Sequence, residues 1–309
     1  VYNKSNMGNA QHKQTQEKLK VQSVRIENDK EGESCILRSS LSPDKLITTL
    51  HDDVITLYDL WQRSVKLFPD RPCLGSRGEK DGKGLPYVFE TYKEVDAKIT
   101  LVASGLRTFD LTVDSKVGIY AKNRPEWVIA QEACYNQSFV CTPLYDTLGE
   151  NAVKFIVNQA EIPIIICSVD KLDRLEPLIG NGCPSLKAII CMDNITDEQR
   201  AKFDSIKICT FDELMKLGAE NPQKAVPPKP DTLHTICYTS GTTGNPKGVM
   251  LTHASYIAAC AGVFSHGVDF TPQDVHISYL PLAHVFEGLA MQSILQGGGA
   301  VGFYRGDVT

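Results

Sequence analysis

LHTICYTSGTTGNPKGVMLTH, from Leu233 to His253, joins two apolar runs through a loop whose composition suits few purely structural roles. LHTICY reads as a buried strand. The loop after it carries Gly241, Gly244 and Gly248, hydroxyls at Thr239, Ser240, Thr242 and Thr243, and a single cation, Lys247. Glycines open backbone conformations closed to other residues and let the main chain approach a ligand. The hydroxyls add neutral donors and the lysine a positive charge, which together form the donor set a polyphosphate requires. A surface turn needs neither the hydroxyls nor the lysine. The Walker-type loop GxxxxGK[ST] fails on spacing: Pro246 stands where a glycine precedes the lysine, and Gly248 where a Ser or Thr follows it. A Walker loop also opens its helix directly, whereas here Val249–Leu251 comes before a helix capped at Thr252.

Working outward, short apolar runs without polar alternation recur at Val117 (VGIY), Ile164 (IIIC), Lys187 (KAIICM) and Ile206 (IKIC). Runs apolar on both faces are strands covered from both sides, as in a parallel sheet flanked by helices. Helical patterns lie between them. Thr56 opens one with the apolar face Leu57, Leu60, Trp61, Val65 and Phe68, stopped by Pro69. The spacing of Thr91/Glu94, Thr147/Glu150 and Thr210/Glu213 predicts capping boxes, and Thr196 a further cap. Asn123 with Pro125 and Glu126 predicts another helix start, and Gly218 a helix end. Strand–helix alternation gives an α/β class with helix-flanked, largely parallel sheets of doubly wound type. The expected organisation is a polar, disordered tail over 1–44, an α/β subdomain over 45–224, a stiff Pro-rich connector over 225–231, and a second α/β block over 232–309. Gly297–Gly299 predicts a turn before the strand AVGFY.

At 309 residues with net charge −5, the chain can bury a sizeable core, and nothing in it suits a nucleic-acid binder or a disordered protein. No apolar run approaches the roughly 20 residues that cross a bilayer, so membrane association would need a surface, an anchor or sequence outside this stretch. The ten cysteines form no CxxC pair. Cys167, Cys191 and Cys237 sit in apolar runs, where thiols behave as small buried hydrophobes of a reducing, intracellular setting. The triplets at Asn136 and Asn194 then carry no glycosylation meaning. Met7-Gly8 fails as a myristoylation signal because His12 stands where Ser or Thr is wanted.

YTSGTTGNPKGVMLTH, from Tyr238, resembles the signature of the adenylate-forming (AMP-binding) superfamily. NRPEWVIAQEACY at Asn123, TPLYDTLGENAV at Thr142 and SYLPLAHVFE at Ser278 are similar to its long-chain acyl-CoA synthetase branch. The resemblance runs from about Asp53 to Thr309. It implies the N-terminal part of the adenylate-forming fold, with the C-terminal half absent. It also implies an activity: ATP-dependent activation of a long-chain fatty acid to an acyl-adenylate, then to acyl-CoA, with ATP, Mg2+ and coenzyme A as cofactors and co-substrates. An aryl- or amino-acid-activating relative fits YDTLG and PLAHVFE poorly. A non-catalytic nucleotide- or lipid-binding truncation product is the rival of a different class.

The resemblance implies that Thr239, Ser240, Gly241, Thr242, Thr243, Gly244 and Lys247 wrap the β- and γ-phosphates. Thr239 would contact the magnesium ion and Lys247 act as a mobile counter-charge; a solvated loop lysine is its plainer reading. His284, in PLAH, is implied to lie beside the acyl carboxylate and the α-phosphate, while from residues alone it reads equally as a capped core histidine. No tryptophan follows His284 in His284-Val285-Phe286-Glu287-Gly288, so the resemblance does not extend to the tryptophan tunnel gate of some relatives. NRPEW and LYDTLG read as mainly structural, with Asn123 and Thr147 as caps and Trp127 and Tyr145 as packing residues. The acidic magnesium ligand, the adenine and ribose segments, the hinge and the C-terminal lysine are expected beyond Thr309, so the chain alone is not expected to form acyl-CoA. Relatives of this kind work at the endoplasmic reticulum, peroxisomes or other membranes.

Overall fold

The computed structural model describes residues 21–27, 31–80, 83–180, 182–239, 245–265 and 268–304. Within the stretch 1–44, Ser23–Arg25 (β1) pairs antiparallel with Leu37–Ser39 (β2), a ladder the polar composition did not announce. Leu57–Leu67 (α1) follows, opened by a reciprocal box between Thr56 and Asp59, and buries Leu57, Leu60 and Trp61 as its periodicity requires. Pro72–Ser76 (β3) then pairs antiparallel with Val88–Thr91 (β6) around the small ladder of Glu79–Lys80 (β4) and Lys83–Gly84 (β5). Tyr92–Arg107 (α2) starts on the predicted Thr91/Glu94 box.

The larger sheet comes next. Its strands are Lys116–Tyr120 (β7), Val140–Leu144 (β8), Ile164–Cys167 (β9), Ala188–Cys191 (β10), Lys207–Thr210 (β11), Leu233–Thr239 (β12) and Lys247–Thr252 (β13), in the spatial order β11-β10-β9-β7-β8-β12-β13. All neighbours are parallel except β12 and β13. Alternate residues feed two separate cores. Val117, Ile119, Ile164, Ile166, Ala188 and Ile190 face one, and Ile165, Cys167, Ile189 and Cys191 the other. That division is why these runs show no polar alternation. Eight of the ten cysteines, Cys167, Cys191 and Cys237 among them, are buried.

Between these strands lie Pro125–Asn136 (α3), Glu150–Gln159 (α4), Leu172–Leu175 (α5), Asp197–Ala201 (α6) and Phe211–Glu220 (α7). After β13 come His253–Ser265 (α8), Val275–Ser278 (β14), Val285–Gln296 (α9) and Ala300–Phe303 (β15). The capping box at Thr210 forms as predicted, and Thr196 caps α6 as predicted, with Gln199 completing a box there. Three local expectations do not. Helix α4 begins at Glu150 on Gly149, so Glu150 is its first residue and not the third that a Thr147 box requires. Asn123 does not cap α3, which starts on Arg124 with Pro125. Gly218 lies inside α7: a Cβ there would sit 1.9 Å from Leu101 O of α2, and one on Gly105 2.3 Å from Leu214 O. The two glycines let the helices touch backbone to backbone.

The connector at 225–231 divides the sequence but not the sheets. Strands β12 and β13, which follow it, complete the larger sheet. Strands β14 and β15 join β3 and β6 in a second, four-stranded sheet of order β14-β15-β3-β6. The first core lies between the sheets and includes residues of α1, α2, α3, α8 and α9. Among the described residues no helix is long and apolar enough to cross a membrane.

Candidate functional site

Strand β12 runs to Thr239, and β13 returns antiparallel with Lys247 directly opposite Thr239. Residues directly opposite in an antiparallel pair present side chains on one face. Thr239 and Lys247 therefore stand together at the base of the loop; both are exposed, and Thr239 Oγ1 donates to Lys247 O at 3.4 Å. Ser240, Gly241, Thr242, Thr243 and Gly244 lie outside the described residues. Gly248 belongs to β13 and not to the loop. A Cβ there would come 2.8 Å from Ile236 Cγ2 and 3.1 Å from Tyr238 Cζ, so its use is space for its neighbours on β12.

Alternation along β12 decides what else meets the loop. Ile236 and Tyr238 pack into the second core, with Tyr238 Oη donating to Gln159 Oε1 at 2.9 Å. Cys237 shares the opposite face with Thr239. There its thiol donates to Ala283 O at 3.4 Å, which brings the turn carrying His284 against the loop-bearing strand. His284 is exposed and is the N-cap of α9; its Nδ1 accepts from Phe286 N–H at 3.2 Å. A twelve-residue helix thus starts at the site, with its positive dipole end there.

Sequence reasoning missed what holds this turn. Asn123, in the turn that follows β7, donates from Nδ2 to Ser278 Oγ (2.9 Å) and Leu280 O (2.6 Å). It also accepts at Oδ1 from Leu282 N–H, 2.8 Å away. One amide therefore grips the segment leading to His284 from the other sheet. A cavity of about 230 Å³ opens beside it, lined by Lys122, Asn123, Asp146, Tyr279 and Tyr304 among others. LYDTLG reaches this cavity through Asp146. Its backbone is tied down by cations: Lys171 Nζ donates to Asp146 O at 3.1 Å, and Arg174 Nη1 to Asp146 O (3.2 Å) and Leu148 O (3.0 Å). The only signal in the sequence was the motif itself; the partners of Asn123 lie more than 150 residues away.

At the end of the β12–β13 pair away from the loop lies a buried polar box. His253 Nδ1 accepts from Leu57 N–H at 3.2 Å, which satisfies the first turn of α1 from the start of α8. His234 Nδ1 meets Tyr135 Oη at 3.1 Å, and its ring lies 4.5 Å from that of Tyr256. Burial lowers the pKa of both histidines, His253 to about 3. The two rings pack neutral in that box.

The family model for AMP-binding enzyme matches residues 61–309. The chain belongs to the AMP-binding enzyme family. Among the family's curated members it is 43% identical over 276 residues to a peroxisomal long chain acyl-CoA synthetase 6 of Arabidopsis thaliana, covering 88% of this chain and 39% of that protein. It is 38% identical over 300 residues to long-chain-fatty-acid–CoA ligase 1 of Cavia porcellus, covering 94% of this chain and 42% of that one. The chain thus spans about two fifths of the length of these curated relatives. Among solved structures, the A-PCP didomain of a carboxylic acid reductase from Segniliparus rugosus, in complex with AMP, superposes with TM-score 0.70 at 21% identity over 83% of this chain and 40% of its own. A long-chain-fatty-acid-CoA ligase from Archaeoglobus fulgidus gives 0.68 at 18% identity, over 84% and 48%. At these identities the structural likeness speaks for the AMP-binding enzyme fold alone.

Proposed function

We propose that this chain supplies the phosphate-loop and carboxylate-facing part of a long-chain fatty acid–CoA ligase, an enzyme that uses ATP to make an acyl-adenylate and then passes the acyl group to coenzyme A. The observation that carries this reading is the common face of Thr239, Lys247 and the His284 turn, joined through Cys237. Relatives named as long-chain acyl-CoA synthetases and ligases, at 38–43% identity, support the substrate class.

In this reading the loop from Thr239 to Lys247 encloses the β- and γ-phosphates, and Lys247 offsets the charge that develops as pyrophosphate leaves. His284 offers a ring N–H to the oxygen shared by carboxylate and α-phosphate, beside the positive end of α9. Among the described residues no group of three or more His, Cys, Asp or Glu could hold a metal. Among the described residues the oxygen donor at the loop is the Thr239 hydroxyl, which would suit an Mg2+ ion that takes its other ligands from nucleotide phosphates and water. Bound there, Mg2+ supplies charge neutralisation to the phosphates. We also assign the protein to an intracellular membrane surface or the peroxisome, in line with the name of the Arabidopsis relative.

The test is fatty-acid-dependent ATP–pyrophosphate exchange by the full-length protein carrying this chain. Lys247→Ala and His284→Ala are each expected to lower exchange by about 100-fold, as for loss of one charge-stabilising donor. Exchange driven by aryl acids or amino acids and not by long-chain fatty acids would overturn the substrate assignment. Unchanged rates in both variants would overturn the site.

A further inference from the structure

We propose that Tyr256 and Cys237 are positioning residues for His284: they hold the peptide groups on either side of it and so set which ring nitrogen faces the reacting oxygens. The proposal rests on the role given to His284 above.

Tyr256 Oη donates to Val285 O at 2.9 Å. That carbonyl belongs to the same peptide unit as the Phe286 N–H, and it is this N–H that donates to His284 Nδ1 at 3.2 Å. A peptide unit is planar, so a hydrogen bond on its oxygen aims its N–H. The bond also polarises the unit and strengthens the N–H as a donor. An Nδ1 that accepts leaves the proton of the neutral ring on Nε2. Tyr256, two bonds removed, thereby favours the tautomer that presents an N–H donor. On the other side Cys237 Sγ donates to Ala283 O, the carbonyl of the peptide unit that ends in the His284 nitrogen. Both holders flank the phosphate loop in sequence, Cys237 on β12 before it and Tyr256 on α8 after it.

Two further features fit this arrangement. Tyr256 is only 7% exposed and lies against His234, so its hydroxyl has one approach to the turn. Gly288, in the first turn of α9, keeps that approach open: a Cβ there would lie 2.5 Å from Tyr256 Oη.

The experiment uses Tyr256→Phe, Gly288→Ala and the double variant. In the full-length protein each single change is expected to lower kcat for ATP–pyrophosphate exchange about tenfold, in the range that small misplacements cost, with KM for ATP within about twofold. The Ala methyl displaces only the hydroxyl, so Gly288→Ala should add nothing in the Tyr256→Phe background. In 15N-histidine spectra of this chain, with His284→Gln identifying the signal, the ring should show Nε2–H in the wild type and a mixture of tautomers in Tyr256→Phe. Single variants that lose thermal stability while kcat stays within twofold overturn the proposal, as does a double variant whose loss is the product of the singles. Should His284→Gln leave exchange unchanged, the reading of His284 itself fails. The tautomer spectra then decide on their own whether Tyr256 sets the ring.

Discussion

Glu132 is wholly buried in α3 and accepts from Gln292 Nε2 at 2.6 Å, while its second oxygen has no partner among the described residues. Burial pushes its carboxyl up to about 8 from an ordinary 4.5. The folded value lies above the unfolded one, so the contribution to stability is fully present below pH 4.5 and lost as pH rises through about 8. Glu132→Gln keeps the bond and removes the ionisation. In urea unfolding it should match the wild type near pH 4 and exceed it by about 1–3 kcal/mol at pH 8. His253 acts in the opposite direction: its value falls from 6.5 to about 3, so its contribution is present above 6.5 and lost as pH falls. His253→Ala also strands the Leu57 N–H, and a loss of about 2–4 kcal/mol at pH 7 is expected by the same measurement. Neither effect was legible in the sequence. A histidine after a strand and a glutamate in a helix say nothing of depth, and depth here comes from elements far away in the chain.

Elements were more legible than residues, because strand and helix period, Pro and Thr/Glu spacing are local signals. Strands β7, β9, β10 and β11, the boxes at Thr91 and Thr210 and the cap at Thr196 follow from such signals, whereas β8, Val140–Leu144, was not read as a strand. The misreadings fall where tertiary contact overrides local chemistry. Asn123 has the residue type of a cap, yet it spends its amide on the 278–282 segment. Gly218 resembles a helix end, yet it is a contact between α2 and α7. Gly218→Ala should therefore cost more than a mid-helix glycine change, which otherwise gains from the better helix former. A loss of about 2 kcal/mol or more is expected in thermal or urea unfolding, since backbone must move to admit the methyl. A neutral or stabilising result would mean the helices separate at little cost.

For the whole molecule, the fold class and the loop's place at a strand end were legible, but the interleaving of the two sheets was not. Sequence punctuation at 225–231 marks a connector and cannot say which sheet the next strand joins. The chain covers about two fifths of its curated relatives. It exposes apolar side chains on β13 and β14, an edge strand of each sheet, with Met250 at 67% and Val275 at 60%. Two outcomes are expected: no acyl-CoA from fatty acid, ATP and coenzyme A when this chain is assayed alone, and concentration-dependent association that Met250→Lys with Val275→Lys reduces in light scattering. The second sheet has a further consequence, for synthesis. Strand β3 pairs with β15, Leu74 lying opposite Val301, across most of the chain. At about 5–20 residues per second a ribosome needs roughly 10–45 s to make the intervening stretch. Throughout that interval one edge of β3 and the buried faces of Cys73 and Leu74 await their cover. The nascent chain is then expected to need holdase chaperones, with the length of its exposure set by the sequence distance between two strands that end up side by side.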